Sequence, residues 1–190
     1  MSTKNYIEMR DTMKIKYADK NDWKDIKEIY LKSFPKSERK PFFVIKHSMK
    51  KGKTKILIAT EDNCLQGFVM IIPYHDMVMV DYLATSSKIR SRGVGSKIIQ
   101  EICRQFCNKK IVLLIERLED SAENRKQRIM RRKFYFKNGF TSSGIFINGY
   151  SGNMEVLNWG SKVSVQEYVD LQQYALGKLM FKLSGIELAV

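Results

Sequence analysis

Residues 80–96 read VDYLATSSKIRSRGVGS, a β-rich segment that ends in a turn containing two glycines. The residues that follow, 95–107, place their apolar side chains at helical spacing. Gly93 and Gly95 permit backbone conformations that other residues avoid, so successive N–H groups can face one ligand. The unpaired N–H groups and the positive end of a helix dipole attract anions, and the two arginines of the turn add charge. The sequence therefore predicts a strand, a glycine turn and a helix that together bind a pyrophosphate.

Two well-known phosphate motifs do not match this turn. A Walker loop requires Gly-Lys-Ser or Gly-Lys-Thr, whereas the order here is Gly95-Ser96-Lys97. A dinucleotide fingerprint requires a third glycine, but residue 98 is isoleucine. The pattern that matches is Arg90-x-x-Gly93-x-Gly95 after a strand ending in Leu-Ala-Thr, which resembles the acetyl-CoA signature of the GNAT superfamily.

A second segment extends this resemblance. Residues 131–140 read RRKFYFKNGF, which is similar to the Phe-Tyr-x-Lys-x-Gly-Phe ending that GNAT proteins carry on the helix after their fifth strand. The order of elements agrees with the family over about residues 13–158. Many GNAT proteins have an asparagine seven residues before the helix tyrosine, but this sequence has Arg128 there, and Asn124 is the nearest asparagine.

The periodicities along the chain predict a mixed α/β (α+β) fold. We expect a strand at 13–18, helices at 21–34 and 41–50, a three-strand meander at 55–85, a helix at 95–107, a strand at 111–115, a helix at 121–138 and two strands about Asn148-Gly149. A helix joins the fourth and fifth strands, so these two are expected to be parallel. The result is the GNAT fold: a mostly antiparallel sheet of about seven strands with helices on both faces, plus a C-terminal helix that begins near Ser164.

The length and composition favour one acetyltransferase domain at 1–160 and a helical extension at 161–190. The chain has 190 residues, of which 44% are hydrophobic, as in ordinary globular proteins. Its formal charge of +14 attracts anionic ligands, among them CoA and nucleic acid. The apolar face of the C-terminal helix is broad, which predicts burial either against its own domain or in a homodimer.

The cysteines and histidines argue against a metal site. The sequence has three cysteines and two histidines, with no paired-ligand spacing. Cys103 and Cys107 are four residues apart on a predicted helix face, where they are expected to be core residues. The sequence also starts with polar residues and lacks a long apolar run. We therefore expect a cytoplasmic protein that does not bind a membrane or a metal.

The resemblance to GNAT proteins implies the cofactor acetyl-CoA and assigns roles to individual residues. Tyr135 corresponds to the tyrosine that protonates the leaving sulfur. Glu116, at the end of a buried strand, is the predicted base that removes a proton from the amine. The predicted cofactor-binding set comprises Leu83, Ala84, Thr85, Arg90, Ser91, Arg92, Gly93, Val94, Gly95, Ser96, Asn124 and Tyr135.

The predicted acceptor-binding residues are Glu38 and Arg39, in the connection between the first two helices, with Asp81 and Tyr150 on neighbouring strands. The function that the resemblance implies is transfer of an acetyl group to a primary amine of a small molecule, an amino-acid derivative or a peptide. Two alternatives remain open at this point. One is a nucleic-acid-associated binding module on the same fold, and the other is an aminoacyl or longer-chain acyltransferase.

Overall fold

The structure is a computed structural model, and it describes residues 13–89, 93–148, 152–185 and 187–189. Its strands and helices follow in the order β1 (Lys14–Tyr17), α1 (Trp23–Ser33), α2 (Phe42–Lys50), β2 (Lys55–Glu61), β3 (Cys64–Tyr74), β4 (Met77–Thr85), α3 (Val94–Gln105), β5 (Lys110–Glu116), α4 (Arg125–Lys137), β6 (Thr141–Asn148), β7 (Met154–Trp159), α5 (Val165–Leu176), α6 (Lys178–Leu183) and β8 (Glu187–Leu188). The eight strands form one sheet in the order β1-β2-β3-β4-β5-β7-β6-β8. Its pairings are antiparallel except for the parallel β4–β5 pair.

Helices cover both faces of the sheet. On β3, Phe68 and Met70 pack with α1 and α2, and Ile72 packs with α5. Val69 and Ile71, which alternate with them, pack with α3 and α4. Because alternate residues of a strand point to opposite faces, α1, α2 and α5 share one face, while α3 and α4 cover the other.

A β-bulge interrupts this alternation on β4. Met70 pairs with Tyr82, but the next residue of β3, Ile71, pairs with Val80, so Asp81 is the additional residue on β4. Met77 and Met79 lie on the α5 side before the bulge, and Tyr82 and Ala84 lie on that same face after it. The bulge thus reverses which residues of β4 face each side, and it bends the strand.

The two parallel strands separate just before the bulge. Within the described residues, β4 and β5 pair from Met77–Lys110 to Met79–Val112 and no further, although both strands continue. The sheet therefore opens between residues 80–85 of β4 and residues 113–116 of β5. This opening connects the face covered by α3 and α4 with the face covered by α1, α2 and α5.

The fold class and the parallel pair are confirmed, with eight strands in place of about seven. Two details of the prediction are wrong. Helix α4 begins at Arg125, because residues 121–124 form turns. Cys103 is buried as expected, but α3 ends at Gln105 and Cys107 is exposed. The turn predicted at Asn148-Gly149 is not tested, because Gly149 lies outside the described residues.

The C-terminal segment also differs from the single buried helix that its pattern predicts. Gly177, with φ of +84°, separates α5 from α6. Tyr168 and Leu171 of α5 are buried against the chain's own sheet, whereas Leu179 of α6 is 72% exposed. The proposed domain boundary at residue 160 stays a prediction. In the described ranges, no helix has both the length and the apolar character needed to cross a membrane.

Candidate active site

Two clefts meet at the opening between β4 and β5. The larger has a volume of about 670 Å³ and lies between these strands, α4, α5 and the α1–α2 connection. The smaller has a volume of about 440 Å³ and lies between the end of β4, the start of α3 and α4. Leu83, Arg131 and Tyr135 line both clefts. These three residues therefore mark the junction of the two clefts.

The glycine turn forms one wall of the smaller cleft. Gly93 is the N-cap of α3 and has φ of +76°, in the left-handed region where a side chain causes strain. At Gly95 an added Cβ would lie 3.3 Å from the ring of Phe134, so glycine allows α3 to pack closely against α4. The first N–H groups of a helix have no partner within it. The wall thus presents hydrogen-bond donors and a positive helix end, which suits an anion.

Most of the predicted cofactor-binding residues lie around this smaller cleft. Its described lining includes Leu83, Ala84, Thr85, Gly93, Val94, Gly95, Ser96 and Tyr135. Arg90, Ser91 and Arg92 fall outside the described residues. Asn124 lies instead in the larger cleft, where its Nδ2 donates to Glu116 Oε1 at 2.7 Å. The structure therefore places Asn124 beside the predicted base and away from the glycine turn.

Tyr135 is a buried side chain with an unused hydroxyl. Its ring makes edge contacts with Phe134 and Phe140, at centroid distances of 5.0 and 5.6 Å. Its hydroxyl has no hydrogen-bond partner in the part of the chain that the structure describes. Burial raises the pKa of Tyr135 to about 12, and the nearby charge of Arg131 opposes that shift. The hydroxyl is therefore protonated at ordinary pH and free to donate a hydrogen bond.

Glu116, the predicted base, is surrounded by donors. Its Oε1 accepts from Asn124 and lies 3.5 Å from Nε of Arg128, while its Oε2 forms a close ion pair with Arg131. Arg128 also contacts Glu119 at 3.1 Å and the carbonyl of Arg117 at 2.8 Å. Both oxygens of Glu116 are thus held in a network that joins β5 to α4.

The α1–α2 connection is fixed to β4 by a tyrosine hydroxyl. The hydroxyl of Tyr82 donates to the carbonyl of Glu38 at 2.8 Å and accepts from the backbone N–H of Lys40 at 3.2 Å. A second hydroxyl, from Tyr30, donates to the carbonyl of Lys40 at 3.1 Å. The Lys40 ammonium forms an ion pair with Asp81, at 2.7 and 2.8 Å from its two oxygens. These bonds fix the position of Glu38 at the cleft.

The structure brings together only part of the predicted acceptor-binding set. Glu38 and Asp81 line the larger cleft. Arg39 does not line it in the described structure, and its Nη1 lies 3.5 Å from the carbonyl of Leu31 on α1. Tyr150 lies outside the described residues.

Several residues of the larger cleft were not predicted from the sequence. Lys40 directly follows the predicted residues 38 and 39, so its position in the sequence could have indicated that it lines the cleft. Arg131 lies in the segment 131–140 that contains Tyr135, but in the sequence an arginine at this position looks the same as a solvent-exposed helix residue. Gln172 of α5 is buried, donates to the hydroxyl of Tyr168 at 2.9 Å and lines the far part of the cleft with Leu176. Nothing in the sequence showed that α5 reaches this cleft.

The arginines of α4 are largely used within the protein. Arg125 contacts Asp120 at 3.0 Å, and Arg132 contacts Glu155 of β7 at 3.2 Å. Arg128 and Arg131 are held by the carboxylates described above. The four arginines of this helix are therefore all engaged in ion pairs within the described structure. Among the described residues, no group of His, Cys, Asp and Glu side chains is arranged to hold a metal ion.

Comparison with known proteins identifies the same region of the chain. Residues 52–142 match the family model of the acetyltransferase (GNAT) domain. The chain is 27% identical over 114 residues to YjbC of Bacillus subtilis (strain 168), a protein assigned to the acetyltransferases. That match covers 57% of this chain and 58% of YjbC, so the chain spans somewhat more than half the length of this curated relative.

Solved structures of low sequence identity share the fold. A protein of Bacteroides thetaiotaomicron assigned to the GNAT acetyltransferases superposes with a TM-score of 0.69 at 21% identity, covering 92% of this chain and 99% of its own. A GNAT family acetyltransferase of Elizabethkingia anophelis, solved with acetyl-CoA bound, gives a TM-score of 0.56 at 13% identity. That superposition covers 80% of this chain and all of the other.

Proposed function

Because residues 52–142 match the family model of the acetyltransferase (GNAT) domain, we propose that this chain transfers the acetyl group of acetyl-CoA to a primary amine. The observation that carries the proposal is the position of Tyr135. Its unpartnered hydroxyl lies where the cleft of the glycine turn meets the larger cleft. An acyl donor held in the smaller cleft and an amine held in the larger one would meet at this side chain.

The smaller cleft offers hydrogen-bond donors suited to a CoA molecule. Backbone N–H groups from Gly93 to Ser96 are suited to the pyrophosphate. Residues 83–85 of β4 pair with β3 but lie beyond the last β4–β5 pair, so on the side that faces β5 their backbone is available to the pantetheine arm. Bound acetyl-CoA would supply an activated acetyl group as a thioester. Arg90, Ser91 and Arg92 belong to the same proposed binding turn.

The chain's own residues have to move two protons during this reaction. An alkyl amine with a pKa of about 10.4 is protonated near neutral pH, and it attacks only after it loses that proton. A carboxylate of the larger cleft is needed to accept it. Glu116, the predicted base, and Glu38 both line that cleft, whereas the third carboxylate there, Asp81, is paired with Lys40. The departing sulfur needs a proton in return. Tyr135 is the proposed donor, because burial keeps its hydroxyl protonated.

The nucleic-acid alternative has little support in the described structure. It was motivated by the charge of +14 and by the arginines of residues 125–132. Those arginines form ion pairs with carboxylates of the same chain, so they are poorly placed to neutralise phosphates. A longer acyl group is a matter of cleft size, and a panel of acyl-CoA thioesters of increasing length would separate that alternative from acetyl transfer.

Two further expectations accompany this proposal. A cytoplasmic location agrees with three free cysteines, of which Cys64 and Cys107 are exposed, because such thiols persist in reducing compartments. A homodimer would cover the apolar side chains of α6, where Leu179, Met180 and Leu183 are largely exposed. The oligomeric state can be measured by analytical ultracentrifugation.

The direct test of the proposed function is an assay for amine-dependent thiol release. The purified chain is mixed with acetyl-CoA and a panel of amines that includes alkylamines, amino-acid amides and short peptides, and free CoA is detected with a thiol reagent. We expect release that requires both the chain and an amine, with the acetylated product identified by mass spectrometry. Binding of acetyl-CoA without amine-dependent release for any member of the panel would contradict the proposal.

A further inference from the structure

The net charge of the side chains that line the larger cleft is opposite in sign to the net charge of the whole chain. In the described structure, five charged side chains line it, Glu38, Lys40, Asp81, Glu116 and Arg131, which makes three acidic groups against two basic ones. Lys40 is paired with Asp81, and Arg131 is paired with Glu116. Glu38 has no ion-pair partner among the residues that the structure describes. A chain with a formal charge of +14 thus has a cleft whose one unbalanced charge, among these residues, is negative.

From this arrangement we propose that the acceptor is a cationic amine with no carboxylate next to the amino group, and that Glu38, not Glu116, accepts its proton. The inference rests on the proposed acetyltransferase function and names the substrate class of the same site. An ammonium group is attracted to the unpaired carboxylate of Glu38. A carboxylate on the neighbouring carbon would find Lys40 and Arg131 already occupied by Asp81 and Glu116.

Glu116 is poorly prepared to accept a proton. One of its oxygens accepts a hydrogen bond from Asn124 and the other is paired with Arg131. A proton placed on either oxygen would displace a donor or put a neutral acid beside a guanidinium group. The geometry suits Glu116 to a positioning role, since it holds Arg131 and Asn124 at the junction between β5 and α4.

Glu38 has the opposite surroundings. Its side chain has no hydrogen-bond or ion-pair partner among the residues that the structure describes, while its backbone carbonyl is fixed by the hydroxyl of Tyr82. Loss of water raises the pKa of its carboxyl group above the ordinary range, the charge of Glu116 raises it further, and Arg131 opposes the shift. A base is most effective when its pKa is close to the working pH, so this direction favours proton transfer to Glu38.

Other titratable groups surround Glu38, and their behaviour affects the test. Glu116 on β5 and Arg131 on α4 act on its charge directly. The Lys40–Asp81 pair joins the α1–α2 connection, which also carries Glu38, to β4. Tyr82 and Tyr135, whose pKa values are raised by burial, stay neutral across the working range. A loss of activity at low pH can therefore come from Glu38, Glu116 or Asp81, and single variants are needed to assign it.

The first experiment compares Glu38→Gln with Glu116→Gln in the full chain across pH, with phenylalaninamide as the amine because Met79, Leu114 and Leu176 give the cleft an apolar wall. We expect Glu38→Gln to lower kcat/KM by about 10²-fold and to move the low-pH fall of kcat/KM to the pH at which the free amine is protonated, because only the neutral amine can then react. Acetyl-CoA binding and melting temperature should be unchanged. Glu116→Gln should lower the rate but keep the fall at low pH.

Glu28→Gln, which removes an exposed carboxylate paired with Lys32 on α1, is the matched control.

The second experiment tests the acceptor class with one matched pair of amines. Phenylalaninamide and phenylalanine differ in whether the group beside the amine is neutral or a carboxylate. With CoA present so that no turnover occurs, calorimetry should show that phenylalaninamide binds the native chain at least ten-fold more tightly than phenylalanine does. Glu38→Gln should remove most of that preference.

Three results would overturn the inference. The first is a pH profile of kcat/KM that keeps its low-pH fall unchanged in Glu38→Gln and loses it in Glu116→Gln. The second is equal binding of the two amines. The third is no binding of either amine to the CoA-bound chain. Each leaves the proposed function standing if the native chain binds acetyl-CoA and releases CoA with another amine. Failure of acetyl-CoA to bind the native chain is a different result, because it contradicts the proposed function itself.

Discussion

Tyr135 shows how one side chain acquires a chemical role from its surroundings. Its ring packs against Phe134 and Phe140, so its position is fixed by the core. Its hydroxyl reaches the junction of two clefts without a described protein partner. A packing residue and a proton donor are thus the same residue. Packing supplies the rigidity, and the unpartnered hydroxyl supplies the chemistry.

Replacement of Tyr135 by phenylalanine isolates the chemical role. The variant keeps the ring and should keep the melting temperature and the affinity for acetyl-CoA. We expect kcat to fall by about 10²-fold, or about 2.7 kcal/mol of activation free energy, because the donor to the departing sulfur is lost. Steady-state kinetics and calorimetry measure the two quantities separately. A wild-type kcat in Tyr135→Phe would show that the hydroxyl takes no part in catalysis.

The pH dependence of the native enzyme provides a second check on this residue. A tyrosine whose pKa is raised is neutral below that pKa and ionises above it, so Tyr135 should remain a donor until the pH approaches about 12. No loss of activity on the alkaline side near pH 10 is therefore expected from this group.

At the level of elements, α5 both packs on the sheet and forms part of the wall of the larger cleft. Gln172 and Leu176 of α5 line the cleft, and Tyr168 and Leu171 pack on the sheet. The start of α5 is anchored by Glu167, which completes a capping box with Ser164 and forms a close ion pair with Lys110 of β5. The geometry of the cleft thus depends on how this helix is docked.

The anchor predicts how stability changes with pH. The bond from Lys110, followed by the backbone of Ser164, lowers the pKa of Glu167 from 4.5 to about 2. A carboxyl group with a lowered folded-state pKa stabilises the fold above its unfolded pKa, and this contribution is lost as pH falls from about 4.5 towards about 2. Thermal melts across that window should show a smaller decline for Glu167→Gln than for the native chain.

Asp170→Asn is the matched control for this helix. Asp170 lies on α5 and bonds to Gln166 of the same helix, so its replacement keeps the anchor to β5. Its melting profile should follow that of the native chain between pH 4.5 and 2. Identical profiles for Glu167→Gln and the native chain would show that the ion pair does not stabilise the docking of α5.

At the scale of the whole molecule, net charge gives little guidance to function. The formal charge of +14 is compatible with binding of any polyanion. Inside the fold, however, the arginines of α4 are neutralised in part by Glu116, Glu119 and Glu155. The local arrangement of charges decides which anion binds.

The salt dependence of binding distinguishes a protein that binds acetyl-CoA from one that binds nucleic acid. A protein that makes 6–10 contacts to phosphates of nucleic acid loses about 10³–10⁵ in affinity between 50 and 200 mM salt. We expect acetyl-CoA binding, which uses backbone donors, to weaken by less than about ten-fold over the same range. Calorimetry with acetyl-CoA and fluorescence anisotropy with an oligonucleotide provide the comparison. Tight oligonucleotide binding at 200 mM salt would favour the nucleic-acid module.

Local signals predicted most of the fold. Periodicity and turn residues located the meander, the glycine turn and α3, because these elements depend on contacts close in sequence. The pattern failed where distant contacts decide the structure. Residues 164–183 have one continuous apolar face, yet Gly177 divides them and only the first part meets the sheet.

The candidate site was predictable to a similar degree. The glycine turn and Tyr135 lie in motifs with fixed spacing, and the structure brings most of them to adjoining clefts. The pairing of Lys40 with Asp81 spans 41 residues, and that of Arg131 with Glu116 spans 15. No local pattern reveals such pairs. For this reason the sequence could suggest Glu116 as the base without showing how its oxygens are engaged.

Binding of acetyl-CoA to the native chain and to Gly93→Asp shows whether the start of α3 forms the cofactor site. Aspartate at residue 93 would place a carboxylate at the start of α3 and strain a left-handed backbone position. Gly52→Asp is the matched control, since Gly52 has φ of +70°, open space around its Cβ and no place in either described cleft. We expect calorimetry to detect binding to the native chain and to Gly52→Asp, with an affinity at least a hundred-fold lower for Gly93→Asp. Equal affinity in all three folded proteins, or no binding by the native chain, would contradict this expectation.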